Sequence, residues 1–350
     1  VTSLDPAVVA ASDAEDAAKA ELDSLVYDTR DADRTFRGAG PFHVTAFEAR
    51  KRAVLAATED YRLGRPFVDS IEITMGRAAR ERIVDLELNK ADFAEIPAEE
   101  ARRAAEHGVR VSRSRPDELL ALVFLRGTES KRIRLIDARI REAVALSIDR
   151  AAIVNFILQK EGEPAGGLLP QWSSGTAFLF STVADVVHAK ELSAQIVPAP
   201  KIVLGYDSGD SLEQAVAERI AVDAREARVQ LTAQAVRPGL ENATDARLVR
   251  LRMQSKSPAL ALESFIDTLG GMTKIEEKAL PDPASAEDIY NRERAIVSGY
   301  RVVPLVWLPR VYGLSGRVRD WMPPGPGESW PLADVWLDGP VEAAVEEGKK

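Results

Sequence analysis

The chain predicts an α/β protein of two lobes built on mixed sheets, with a cleft between the lobes. Strand-length runs take turns with helix-period runs in two successive sets, one before residue 137 and one after it. An apolar run at Val302–Leu308 follows the last helix-period stretch and is placed to return to the first set. The 350 residues are 45% hydrophobic and 29% charged, ordinary globular composition and long enough for two domains. The expected division is lobe one from 1–136 with 303–340, lobe two from 137–302, and a frayed charged tail at 341–350. Paired lobes of this kind bind ligands in the crevice between them.

Taken in order, Ala7–Tyr27 has an acidic start and an apolar side through Leu22, Leu25 and Val26, so it predicts a helix. Asp28–Gly40 is polar and predicts a loop. Phe42–Phe47 and Arg52–Thr58 predict paired strands, and Ser70–Thr74 alternates as a third. Arg77–Leu88 carries a helical period through Ala78, Ile83, Leu86 and Leu88, and Phe93–Ile96 returns to strand. Glu99–His107 predicts a short helix that Gly108 stops. Val109–Val111 and Leu119–Leu125 then predict two buried strands. Asp137–Lys160 has the strongest helical pattern, with Asp137 as N-cap and Ile140, Val144, Ile148, Ile153 and Ile157 on its apolar side. A Pro/Gly loop follows and leads to Trp172. The second set is strand Lys201–Tyr206, helix Ser211–Ala227, strand Val229–Ala235, helix Asp245–Met253 and strand Ala259–Phe265. Helix Ser285–Val297, capped by Ser285, precedes the strand Val302–Leu308 and a Pro/Gly loop at Pro323–Pro331.

Composition removes most chemistry. With no cysteine there are no disulfides, thiolate nucleophiles or iron–sulfur ligands, and the three histidines (His43, His107, His188) lie far apart. No metal or other cofactor is expected. A net charge of −9 argues against a nucleic-acid partner. The most basic stretch, Arg110–Glu142, has a modest excess of charge and no interleaved aromatics, and predicts a solvated rim. No run reaches the roughly 18 apolar residues of a membrane helix. Gly205-Tyr206-Asp207-Ser208-Gly209 sits between a strand and a helix, but its serine is one residue out of register for a nucleophile elbow. A strand-to-helix loop that caps the next helix accounts for it, with backbone N–H groups at the strand ends that a ligand can meet. Phosphate-loop and dinucleotide fingerprints are absent. No catalytic constellation emerges, so an enzyme is not expected.

Several phrases together resemble the family 5 extracytoplasmic solute-binding proteins of ABC importers, which include oligopeptide, dipeptide and nickel receptors. Ser3-Leu4-Asp5-Pro6-Ala7 with Leu25-Val26-Tyr27-Asp28-Thr29 is similar to the family's opening. Gly40-Pro41-Phe42, Glu59-Asp60-Tyr61, Gly64-Arg65-Pro66 and Asp69-Ser70-Ile71 follow its next run, and Leu88-Asn89-Lys90-Ala91-Asp92 its "G-x-x-D" turn. Arg139 to Val154 (RIREAVALSIDRAAIV) resembles its "vRxALxxAIDRxxIv" helix most specifically. Pro304-Leu305 and Val335-Trp336-Leu337 fit its C-terminal return. Two departures stand out. Only Arg30–Ala39 joins stretches that relatives separate by a whole extra domain. The region Ala259–Gly271 lacks the Trp-x-x-Asp-Tyr-like motif whose Asp meets a peptide's α-amine, leaving Glu263 or Asp267 as replacements. Asn89 stands where the family has glycine, and asparagine tolerates the left-handed backbone such a turn needs.

The resemblance implies a periplasmic-binding-protein-like architecture and an extracytoplasmic receptor whose signal peptide has been removed. Such a receptor closes its lobes on a small solute, with peptides one candidate, and presents the closed form to ABC-transporter membrane subunits. The residues expected to meet the solute are Trp172, Tyr206, Asp207, Asp267, Trp307 and Arg310. An aromatic supplies apolar area at small entropic cost, and an Asp or Arg anchors a charged terminus. Trp172 and Trp307 also suit a core, and Arg310 a surface ion pair. The competing expectation is a receptor-derived scaffold or sensory module that no longer delivers cargo.

Overall fold

Alternating runs of five to seven residues make the first sheet: β1 (Phe42–Glu48), β2 (Arg52–Ala57) and β3 (Ser70–Thr74) form an antiparallel meander. In this computed structural model the described residues are 40–126, 136–174, 180–198, 200–237, 244–275 and 280–339. The expected helix at Ala7–Tyr27, nearly all of the loop after it and the tail at 341–350 lie outside them. Two compact units emerge, 40–93 with 314–322 and 330–339, and 94–313 with 323–329.

In the first unit, Arg65 fixes the loop after β2 by bonding Glu59 at 2.8 Å and Asp69 at 2.6 Å. Helix α1 (Ala79–Glu87) buries Ile83 and Leu86. It ends as the Asn89 turn requires: Asn89 has φ +54°, its N–H reaches Leu86 O at 3.1 Å and Lys90 N–H reaches Asp85 O at 2.7 Å. Two orphan carbonyls of the last turn are thereby satisfied. Asn89→Val is expected to cost about 1–2 kcal/mol, because a β-branched side chain resists this backbone, whereas Asn89→Gly leaves the urea midpoint close to wild type. Phe93 stacks against Trp321 and Trp330, with centroids 4.4 and 4.8 Å away. The strands β11 (Val318–Arg319) and β12 (Trp336–Leu337) close the unit as an antiparallel pair.

The larger sheet is mixed. Its path runs β4 (Phe93–Ile96), β10 (Val302–Leu314), β5 (Arg110–Phe124), β9 (Ala246–Arg252), β7 (Lys201–Asp207) and β8 (Gln230–Val236), with β6 (Glu163–Pro164) on β10. Strand β7 is parallel to β8 and β9, while β5 is antiparallel to β9. Both faces of β5 are covered: Leu120, Leu122 and Phe124 enter one core, Leu119, Ala121 and Val123 the other. That explains the continuous apolar run LLALVF, since period-two alternation is lost when neither face meets water. The first core lies under α3 (Ala138–Ser147) and α5 (Ser211–Glu226), the second under α6 (Pro258–Gly270). Other helices among the described residues are α2 (Ala101–Glu106), stopped at Gly108 with φ +86°, α4 (Val186–Ala194) and α7 (Ala286–Val297). Ser285 and Asp288 cap α7 reciprocally, as expected.

Four sequence expectations are corrected. The two strands proposed around 109–125 are one strand, running straight through Pro116. Residues 246–252, expected as helix, are β9, and Pro258–Gly270, expected partly as strand, is α6. The long helix over 137–160 breaks at Ile148 and Asp149, where Asp149 caps a new turn by accepting from Ala152 N–H at 2.9 Å. A π-helical turn, Ile153–Ile157, completes the segment. Helix α4, capped by Asp185, went unforeseen.

Candidate functional site

Strands β7 and β9 run the same way and end at Asp207 and Arg252, and α5 begins just beyond β7. Carboxyl ends of parallel strands are where open α/β sheets usually hold ligands. Here they carry a line of linked charges. Arg250 reaches Glu118 on β5 at 2.7 Å, Asp210 at 2.6 Å and Glu213 at 3.8 Å. Arg252 reaches Glu118 at 3.1 Å and Glu95 on β4 at 3.3 Å. The register puts Glu118 directly opposite Arg252, so the pairing follows from strand alignment.

Asp210 caps α5 through Glu213 N–H at 2.9 Å, and Glu213 Oε2 accepts from Asp207 N–H at 2.9 Å. Ser211 donates to Glu99 at 3.2 Å. Burial is the main influence on Arg250 and works against its charge, yet Glu118, Asp210 and Glu213 outweigh it and raise its pKa. Burial raises Glu213 and Glu99 above the usual carboxylate range, opposed by the Asp207 N–H at Glu213 and by Arg250 and Ser211 at Glu99. Next to Glu118 on β5, Asp117 is fully buried and takes two bonds from Arg310, Nε at 2.9 Å and Nη2 at 2.7 Å. Arg310 also donates to Pro324 O at 2.8 Å, and its backbone N–H donates to Ser114 Oγ at 2.9 Å.

The six expected residues fall into distinct surroundings. Asp207 ends β7, whereas Arg310 lies within β10 and is bonded to Asp117 on β5. Tyr206, one residue before Asp207, packs partly buried against the first core. Trp172, in the short helical turn Gln171–Ser174, donates from Nε1 to Pro116 O at 2.7 Å, and the Arg115 guanidinium sits 5.8 Å from its ring. Trp307 is 3% exposed and packs in the second core, 6.3 Å from the Phe265 ring. Asp267 is exposed on α6, while Glu263 accepts from Leu280 N–H at 3.1 Å.

The 205–209 loop is a capping loop, with Asp210 as the cap. The N–H groups of Asp207, Ser208, Gly209 and Asp210 are bonded to Glu213 Oε2, Val236 O, Asp207 Oδ1 and Asp207 O, so they are not open to a ligand as expected. The sequence reading missed Asp117, Glu118, Arg250 and Arg252. Treating 245–253 as helix hid the last two, because the apolar positions of ARLVRLR (Ala246, Leu248, Val249 and Leu251) do not alternate strictly. Among the described residues, no group of three or more His, Asp or Glu side chains is placed to hold a metal ion, and none of their helices is long and apolar enough to cross a membrane.

The family described as bacterial extracellular solute-binding proteins, family 5 Middle, matches residues 10–263, and the chain belongs to it. It is 26% identical over 129 residues to the oligopeptide-binding protein AppA of Bacillus subtilis, a match covering 37% of this chain and 23% of that one. It is 25% identical over 144 residues to the nickel-binding protein NikA of Staphylococcus aureus, covering 40% of this chain and 28% of that one. The chain therefore matches less than a third of either relative's length. Its fold is similar to that of the ABC transporter substrate-binding protein CtaP from Listeria monocytogenes, with TM-score 0.69 and 15% identity, covering 86% of this chain and 67% of that one.

Proposed function

We propose that this chain is the solute-binding receptor of an ABC importer, acting outside the cytoplasm on a peptide-like or comparably small solute. The observation that carries this reading is the family match over residues 10–263. The site we assign is the carboxyl end of the larger sheet, with Asp207 and Arg310 anchoring charge and Tyr206 and Trp172 supplying apolar area. Trp307 acts there through packing, and Asp267 is the outermost member of the set. The lobe division of 1–136 with 303–340 against 137–302 belongs to the same proposal, as do solute-dependent closure, removal of an export signal and docking to transporter membrane subunits.

A thermal-unfolding screen against di-, tri- and longer peptides, amino acids, sugars and nickel chelates tests it. A solute at a hundred times its Kd is expected to add about 2.7 kcal/mol of stability. A reproducible rise with one class, removed by Asp207→Ala, supports the receptor reading and names the cargo. A cooperative transition that no class moves rejects it.

A further inference from the structure

The loop that delivers Trp172 rests on one buried carboxylate that the proposed site does not use. Ala165 N–H bonds Leu305 O on β10 at 2.9 Å, which fixes the loop's start. Gly166 packs so closely on Phe180 that a Cβ there would lie 2.5 Å from the Phe180 carbonyl oxygen, and a Cβ at Gly167 would collide with Glu293 Oε1 on α7. That oxygen accepts from Leu169 N–H at 2.9 Å, and the Leu168 amide also bonds the carboxylate. Leu168, Leu169 and Glu293 are buried, and Ser173 and Ser174 N–H groups bond Pro170 O at 3.0 Å. Trp172 thus follows the Glu293 anchor through three residues with little freedom, and its indole is pinned to Pro116 O.

We propose that Glu293 is a positioning residue for Trp172, holding the 166–172 loop with a grip that changes when its carboxyl gains a proton. The functional consequence rests on the reading that Trp172 meets the solute. Two groups set the carboxyl's behaviour. Burial drives its pKa up to about 7, opposed by the amides of Leu169 and Leu168. Charged neighbours add nothing: Arg292 and Arg294 on α7, and Glu263 and Asp267 on α6, do not contribute to the shift. The folded value lies above the usual 4.5. The neutral form therefore stabilises the fold fully below that range, and its contribution is lost as pH rises through 7. The ionised form, dominant above 7, makes both amide bonds charge-assisted but carries the larger burial cost, so the loop is held most firmly below 7 and opens more readily above it. The proton removes that burial cost, and Trp172 is held more tightly.

The test needs no solute, so its failure is distinct from failure of the receptor reading. Indole-labelled protein is followed by NMR from pH 5.5 to 8.5, with Trp172→Phe assigning the resonance and hydrogen exchange read at Leu168 and Leu169. The expected result is a one-proton titration of the Trp172 indole resonance with a midpoint near pH 7, amide exchange at Leu168 and Leu169 that speeds up above it beyond the intrinsic base-catalysed rise, and a flat profile in Glu293→Gln. Should Glu293→Gln fail to fold, Glu293→Asp is expected to move the midpoint. A flat wild-type profile, a titration that persists in Glu293→Gln, or an unmoved midpoint in Glu293→Asp overturns the proposal.

Discussion

Replacing Arg150 with alanine is expected to lower folding stability by about 3 kcal/mol or more, the largest effect of any single change in the RIREAVALSIDR segment. The Arg150 side chain is 6% exposed and has no carboxylate partner among the described residues; its Nε donates to Pro304 O at 2.8 Å and Nη1 to Ala145 O at 3.4 Å. Burial lowers its pKa to about 10, so it stays charged at neutral pH. A hydrogen bond from a charged donor contributes roughly 1.5–3 kcal/mol, and a buried acceptor left unpaired costs roughly 1–3 kcal/mol. The truncation also opens a cavity. Arg150→Lys is expected to recover little, because a single ammonium cannot reproduce the fork that spans two carbonyls. Arg139, eleven residues earlier, is the internal control. It is exposed and pairs with Asp137 at 3.1 Å, so Arg139→Ala should leave the urea midpoint within error. Equal midpoints for Arg150→Ala and Arg139→Ala would show that the buried guanidinium holds nothing.

This contrast explains why one phrase was so informative in the sequence. Arg141 donates to Ile136 O at 2.6 Å and to Gly299 O at 3.0 Å, while Arg150 reaches Pro304 O, so two motif arginines tie α3 and the turn after it to the approach and start of β10. Asp149 adds the cap, and its backbone N–H bonds Asp223 on α5 at 3.1 Å. Groups that hold backbone carbonyls together admit few substitutes, and the segment is accordingly recognisable. It is a fold-holding device, which is why it marked the family without marking the solute.

Local pattern carried the strands at 42–48, 52–57, 70–74 and 93–96, and the helices at 79–87 and 211–226, because each has one covered face and its own stop signal. It failed at 246–252 and 258–270. In β9, Ala246, Leu248 and Leu251 are buried while Val249 and Arg250 are partly covered, so a central strand with charges at its end mimics a helical period. In α6, Ala261, Leu262, Phe265 and Leu269 share one face, and Pro258 at the first turn was a helix-start signal that a short apolar run obscured. The charged line suffered the same fate, since Glu118 meets Arg250 and Arg252 only through a pairing of segments 132 and 134 residues apart.

Asp117 and Arg310 give the second large effect, and a double-mutant cycle separates the bond from the burial. The Asp117 side chain is 1% exposed and that of Arg310 10%, so removing either partner leaves a charge stranded in a poorly solvated place. Arg310→Met is expected to cost about 3–5 kcal/mol, the range for breaking a buried pair from one side. Its pH dependence carries a sign. Burial raises Asp117 above its usual value even with Arg310 pulling it down. The neutral acid is therefore the form the fold favours, and stability is lost as pH rises through the folded value. Without Arg310 the burial acts nearly unopposed. The deficit of Arg310→Met is then largest at high pH and shrinks as pH falls and Asp117 takes up its proton. Asp117→Asn combined with Arg310→Met removes both charges and should recover a few kcal/mol of the loss. The recovery stays incomplete, because Arg310 also bonds Pro324 O at 2.8 Å and that carbonyl remains without its donor. Losses that simply add in the double mutant, with no pH dependence in Arg310→Met, would mean that the pair is not coupled across β5 and β10.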